Sequence, residues 1–262
     1  MPVIRRAFTL VELLVVIAII ALLAAILFPV FAQAKVAGKK TANISNVRQL
    51  SLGIHLYVTD AEGFPMMSSL STASPRTRWP DYVYPYVKNE RIFQGPLAPP
   101  AMFAQAFAHN ASVRHGGYGY NYQYLGNSRV VAGDSRFPFT ATDTQIETPT
   151  ETIVISDTQG VRNDAGRISG HYTIDPPLTS ARGSGRDTGF YGGAMDCGSG
   201  VPNTVGQHGC RSTPAEWHTG RVSIAFADGH AKSMPRARMD DKNGDGVRDN
   251  GWWNGSADPT LN

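Results

Sequence analysis

The sequence is short of charge and shorter still of any excess of one sign. Charged residues make up 17% of its 262 positions, against roughly 25% in an average soluble domain. The 24 Lys and Arg nearly cancel the 21 Asp and Glu, leaving a formal charge of +3. That balance excludes a strongly basic nucleic-acid binder. With 42% hydrophobic residues the chain is not a solvated coil either. Cysteine occurs only twice, at Cys197 and Cys210, and the chain has neither a Cys-x-x-Cys motif nor a His placed beside a Ser or Cys nucleophile motif, so no thiol-redox or nucleophilic signature is present. Internal repeats and a Gly/Ser-rich linker are missing too.

What the sequence does have is concentrated at one end. Leu13 to Phe28 reads LLVVIAIIALLAAILF with no polar side chain, and only Glu12 separates it from the apolar residues upstream. Carried to Ala34, the segment is about 40 Å long as a helix at about 1.5 Å per residue, enough to cross a hydrocarbon core of roughly 30 Å. Arg5 and Arg6 precede it and Lys35, Lys39 and Lys40 follow it, so flanking charge gives only a mild preference for a cytoplasmic N-terminus and the polarity must come from elsewhere. A secretory signal peptide would combine a basic start with a shorter apolar run and a polar cleavage region. Here an ionisable Glu12 stands at the mouth of the run, where it needs a partner, and the run continues into further helix.

The segment RRAFTLVELLVVIAIIALLAAILFPVFAQA resembles the N-terminus of type IV prepilins and type II secretion pseudopilins, with a G-type-like character. The resemblance implies that a prepilin peptidase cuts between Ala7 and Phe8 and that Phe8 is N-methylated. Glu12 becomes the fifth mature residue and Pro29 the twenty-second. Ala7 stands where the family usually has Gly. In such a filament Glu12, costly in lipid when unpaired, meets the terminal amine of a neighbouring subunit. Pro29 lacks an N–H and crowds the preceding turn, so it kinks or locally opens the helix; an ordinary transmembrane kink is the alternative.

Beyond Ala34 the helical spacing persists. Ile44, Val47, Leu50, Ile54, Tyr57 and Val58 step by three or four, with Lys39, Lys40, Asn43, Arg48 and Thr59 interleaved as the polar face. This predicts one helix of about fifty residues that leaves the bilayer and lays a face on a soluble domain. Gly63 and Pro65 stop it. His55 reads as a packing or surface residue. From Phe64 onward the chain is turn-rich. Trp79, Tyr82, Tyr84 and Tyr86 form an aromatic knot suited to a core or subunit contact, and YPYVKNERIF resembles a segment of large pseudopilin-like proteins in which a Cys follows where Gly95 stands here. GGYGYNYQYL at 116–125 alternates as a half-buried strand, ETIVISD at 151–157 reads as a second, and 164–209 predicts long loops. RVSIAFADGHAKSMP is a hairpin turning at Asp228-Gly229.

His218, Asp228 and Gly229 form an H-x9-D-G spacing that resembles a recurring signature of the same pseudopilin-like group. A metal site at His218, Asp228 and His230 is the alternative to a plain hairpin with polar caps. Cys197 and Cys210, thirteen residues apart, read as a structural disulfide that closes a loop worth about 3 kcal/mol, in the oxidising compartment that export implies. In the tail, Asp241, Asn243, Asp245, Gly246 and Asp249 take positions one, three, five, six and nine of a spacing that resembles EF-hand, dockerin and thrombospondin calcium loops. Trp252 occupies the twelfth, where an acid belongs, with Asp240 or Asp258 as substitutes. A solvated acidic turn is the alternative.

These readings give an α+β chain with a long N-terminal helix packed on an antiparallel β-sheet domain. Its parts are a cleaved leader at 1–7, a transmembrane and assembly helix at 8–34, an amphipathic continuation at 35–60, a β-rich periplasmic domain at 61–239 and an acidic tail at 240–262. Loss of Arg5 and Arg6 lowers the side-chain charge from +3 to +1. The expected role is a non-enzymatic inner-membrane subunit polymerising into a pseudopilus for type II secretion. Its partners are copies of itself, other pseudopilins, the assembly platform and the prepilin peptidase. No cofactor is required, calcium is the candidate ion, and no nucleic acid is expected. Two alternatives stay open: a type IV pilin for adhesion, motility or DNA uptake, and a membrane-tethered periplasmic enzyme or binding protein built on His218, Asp228 and His230.

Overall fold

The computed structural model describes residues 9–69, 73–104, 106–111, 116–128, 135, 138–162, 168–170, 172–178, 213–217 and 219–261. Two compact units divide the chain, Met1–Thr41 and Ala42–Asn262. A single helix, α1 (Leu10–Ala61), runs from the first into the second and is unbroken through Pro29, so the proline is accommodated without opening the helix into another conformation. In the first unit, residues 10–39 are exposed save a half-buried Ala24.

The second unit begins with the buried stripe of α1: Asn43, Val47, Leu50, Ser51, Ile54 and Val58. Its spacing follows the helical period as expected, with one correction. Asn43, placed by pattern on the polar face, is fully buried, while Ile44 is only half-buried. The helix ends at Ala61, and Glu62 rather than Gly63 takes the left-handed conformation after it, at φ 57°. His55 is exposed.

Four antiparallel strands form the main sheet in the order β1 (Tyr118–Tyr120), β4 (Ile153–Asp157), β7 (Val222–Phe226) and β8 (Ala231–Met234). Two small antiparallel pairs complete the strands: β2 (Gly126–Asn127) with β3 (Phe139–Thr140), and β5 (Val161–Arg162) with β6 (Ile168–Ser169). The segment read as one strand at 116–125 is β1 followed by a short helical turn, α3 (Tyr122–Leu125). The chain is thus α+β, a long helix with an antiparallel sheet.

The β7 alternation shows how this sequence covers both faces of the sheet. Val222, Ile224 and Phe226 pack into one apolar cluster with Ile153, Met234, Trp252 and Trp253. Ala225 and Ala227 belong to the other, with Val47, Leu50, Ile54 and Val58 of α1. Small residues on the α1 side let the helix approach, and bulky ones on the far side fill against the C-terminal segment. That segment is therefore no loose appendage. Trp253 is fully buried, Ile153 N–H donates to Trp252 O at 2.8 Å, and Asn121 Nδ2 donates to Trp253 O at 3.0 Å. A short helix, α4 (Arg236–Asp240), leads into it.

The aromatic knot is α2 (Trp79–Val87). Gly53 of α1 makes room for it, since a Cβ there would lie 2.7 Å from Val87 Cγ2 and 2.8 Å from Val83 Cγ1. Trp79 packs edge-on to Phe93 at 5.8 Å, and Phe93 lies 4.4 Å from Phe107. Trp79, Phe93 and Phe107 are buried in the core, while Tyr82, Tyr84 and Tyr86 of α2 are half-buried.

Candidate functional site

The residues singled out by sequence fall in three places: the helix start, the β7–β8 turn and the C-terminal loop. His218, Cys197, Cys210, Ala7 and Phe8 lie outside the described residues.

At the β7–β8 turn only Gly229 takes positive φ, at 87°. Phe226 N–H donates to His230 O, and Gly229 N–H to Phe226 O, both at 3.0 Å. That is the three-residue hairpin loop with a left-handed third residue, not a two-residue turn on Asp228-Gly229. Asp228 Oδ1 accepts the His230 N–H at 3.1 Å and lies 2.6 Å from His230 Nδ1. The His230 ring stacks on Phe226 with centroids 4.3 Å apart. Asp228 and His230 thus brace the turn. Among the described residues no group of three His, Cys, Asp or Glu side chains is gathered to hold a metal ion.

In the C-terminal loop the carboxylates face backbone amides. Asp241 accepts from Gly244 N at 2.6 Å and Gly246 N at 2.9 Å, with both glycines at positive φ. Asp245 accepts from Val247 N at 2.7 Å and from Asn243 Nδ2 at 3.0 Å. Asp249, buried, accepts from Lys242 N and Gly251 N, each at 2.7 Å. Trp252, at the twelfth position of the spacing, is a core residue: its Nε1 donates to Arg238 O at 2.9 Å. Lys232 Nζ lies 4.5 Å from the centroids of both Trp252 and Phe226, and Lys242 Nζ meets Glu151 Oε2 at 2.6 Å. Burial pushes the neighbouring Asp240 carboxyl up to about 7, with Arg248 opposing and Asp249 adding to the rise.

At the start of α1, Thr9 and Glu12 satisfy each other. Glu12 Oε2 accepts from Thr9 N at 2.9 Å and Thr9 Oγ1 at 2.6 Å, and Glu12 N–H donates to Thr9 Oγ1 at 3.2 Å. This reciprocal pairing is a capping box, in which two otherwise orphaned amides of the first turn are bonded. Thr9 was not singled out from the sequence, although the T-x-x-E spacing is its signal. Downstream, the apolar side chains stand exposed on every side: Leu10 is 74% exposed, Phe28 69% and Phe31 64%. By length and composition α1 can cross a membrane.

Comparison with known families settles what this segment is. Residues 4–28 carry the prokaryotic N-terminal methylation motif. No curated relative and no solved structure matches the chain. The methylation motif and the exposed apolar helix support a type IV pilin-like prepilin, a single-pass membrane-anchored protein. The motif implies processing by a prepilin peptidase and assembly into filaments with membrane machinery, and it suggests a structural subunit rather than an enzyme.

Within the second unit a buried polar cluster pins the helix to the sheet. Asn43 Nδ2 donates to Asp157 Oδ1 at 2.8 Å, to Asp157 Oδ2 at 3.0 Å and to Ser223 Oγ at 2.8 Å. Tyr118 OH donates to Asn43 Oδ1 at 2.7 Å, and Ser223 N–H to Asp157 Oδ2 at 2.8 Å. One side chain of α1 therefore bonds to β1, β4 and β7 together. None of these four residues was singled out as functional from the sequence; the signal was a polar Asn43 four residues before Val47, in phase with the core stripe. Burial pushes the Asp157 carboxyl from 3.8 up to about 6 against the opposing hydrogen bonds from Asn43 and Ser223.

A carboxyl whose folded pKa is raised binds more protons folded than unfolded between the two values, so its contribution to stability falls as pH rises through that window. For Asp157 the window runs from 3.8 to about 6, and the loss across it is about 3 kcal/mol at 1.36 kcal/mol per unit. Asp157→Asn abolishes this titration and turns an NH2 towards Asn43 or Ser223 N–H. The stability difference, wild type minus variant, should shrink by that order between pH 4 and pH 7 in denaturant titrations. Parallel pH profiles would show that folding leaves the Asp157 pKa where it is in the unfolded chain.

Proposed function

We propose that this chain is a filament subunit of a type II secretion pseudopilus, cut between Ala7 and Phe8, methylated on Phe8 and polymerised through its N-terminal helix, with residues 42–262 carried on the periplasmic side. The observation that carries the reading is the coincidence of the methylation motif at 4–28 with a helix segment whose apolar side chains stand exposed among the described residues. Such a surface is stable in lipid or against other helices, not in water. Filament assembly then exchanges lipid contacts for helix contacts. In that exchange Glu12 gives its carboxylate to the amine of a neighbour's Phe8, leaving the Thr9 cap that holds it in the single subunit.

The capping box makes the Glu12 test discriminating. Glu12→Gln keeps a side chain that can cap Thr9 but removes the charge, whereas Glu12→Ala removes both. Both variants should insert in the membrane, resist alkaline extraction and fail to form filaments when the secretion machinery is overproduced. Filaments from Glu12→Gln as abundant as wild type would show that Glu12 serves only as a helix cap. Long surface fibres that retract, in place of short periplasmic ones, would assign the subunit to a type IV pilus.

Calcium binding at Asp241, Asn243, Asp245 and Asp249 is a separate proposal, carried by the one-three-five-nine spacing alone. For an ion to enter, the carboxylates must turn from the amides they cap to the cation. EGTA should then lower the Tm of the purified protein, and added calcium restore it. An unchanged Tm would leave the loop as a self-capped turn.

A further inference from the structure

The helix carries cations without a single anion over most of its length. Between Glu12 and Asp60 there is no Asp or Glu, while Lys35, Lys39, Lys40 and Arg48 all fall inside that interval. No carboxylate on α1 can therefore pair with these lysines at the i±3 or i±4 spacing that stabilises helix surfaces. Among the described residues Lys35, Lys39 and Lys40 make no ion pair; Lys35 and Lys39 are exposed and Lys40 is half-buried.

Their depth is set by the apolar segment. Leu10 to Ala34 rises about 37 Å at about 1.5 Å per residue, somewhat more than the roughly 30 Å of hydrocarbon. Lys35 then stands at the edge of the headgroup layer, with Lys39 and Lys40 within about 8 Å further along the axis. Long lysine stems lie along apolar surface while the ammonium reaches for the polar layer. Lys35 and Lys39 are four residues apart and share one face. A neighbouring copy of the helix lying parallel and in register brings no acid to this level, because the helix has none there.

We propose that Lys35, Lys39 and Lys40 form a collar that binds the phosphate of anionic phospholipids, in the leaflet through which α1 leaves the membrane towards its C-terminal end. This rests on the membrane-anchored reading and adds a regulator to the assembly step. Basic residues at a membrane surface attract anionic lipid by electrostatics that salt screens. A subunit moving from the bilayer into a filament gives up these phosphates, so the anionic lipid content of the membrane sets part of the cost of assembly.

The test uses the full chain, reconstituted at low density in phosphatidylcholine vesicles doped with phosphatidylglycerol. Electron spin resonance with spin-labelled phosphatidylglycerol or phosphatidylcholine reads which lipid occupies the layer around the protein. Wild type should enrich the anionic label several-fold at low salt, and high salt should reduce that enrichment. The triple variant Lys35→Gln, Lys39→Gln, Lys40→Gln should lose most of the difference, while Arg48→Gln, about 12 Å or more beyond the collar along the axis, should keep it. Arg5 and Arg6 are present in every protein compared and cancel in the comparison. Equal enrichment by wild type and the triple variant, or loss in Arg48→Gln alone, would overturn the collar. Filament formation in the Glu12 variants is read separately, so a failed lipid contact leaves the pseudopilus reading standing, and failed filaments leave the lipid contact testable.

Discussion

A helix whose apolar side chains no other described residue covers is the constraint from which the rest follows. From Leu10 to Phe31 α1 presents Leu, Ile, Val and Phe on every side. Burying a single such side chain is worth about 1.5–3 kcal/mol, so leaving the whole set in water is prohibitive, and only lipid or other helices relieve it. The methylation motif occupies this same stretch. Membrane anchoring and assembly are thus two solutions to one problem, and a subunit passing from the first to the second changes the neighbours of the same side chains. Pro29 fits this economy because the helix stays continuous through it, so the apolar surface is not interrupted there.

The same helix meets the opposite demand in the second unit, where it must be covered. Its stripe from Val47 to Val58 packs with Ala225, Ala227, Tyr118 and Val154, and non-directional apolar packing alone would tolerate small slips along the axis. Asn43 removes that freedom. Its amide and carbonyl are both engaged, bonding Asp157, Ser223 and Tyr118 at 2.7–3.0 Å, and a slip would strip the buried Asp157 carboxylate of its Asn43 bonds and leave the buried Asn43 amide without partners, at about 1–3 kcal/mol or more for each. The polar cluster fixes position where the apolar stripe supplies adhesion. On the far face of the sheet Trp252 and Trp253 close the core, so residues at the very end of the chain help hold strands formed much earlier in it.

Much of this was legible in the sequence, because its strongest signals are periodic. The apolar run, the three-and-four spacing after it, the β7 alternation and the ETIVISD strand all map onto observed elements. What escaped depends on partners distant in sequence. Asn43 looks polar and therefore exposed until Asp157, 114 residues away, supplies its bond. Tyr122 to Leu125 continues a strand-like alternation, yet it turns helical because Gly126 must return the chain to pair with Thr140. Trp252 and Trp253 share a segment with the C-terminal spacing of acids, and their core role depends on strands far upstream. Thr9 escaped for a different reason: its T-x-x-E spacing with Glu12 is local, but the family resemblance points Glu12 to a neighbouring subunit's amine instead.

The account turns on the first residue of the mature chain. Intact-mass and N-terminal peptide analysis of the protein extracted from membranes of cells with an active prepilin peptidase should show a chain beginning at Phe8 and carrying one methyl group on its amine. A chain that keeps Met1, or one whose first residue lies beyond the apolar segment as after signal-peptide removal, would contradict it.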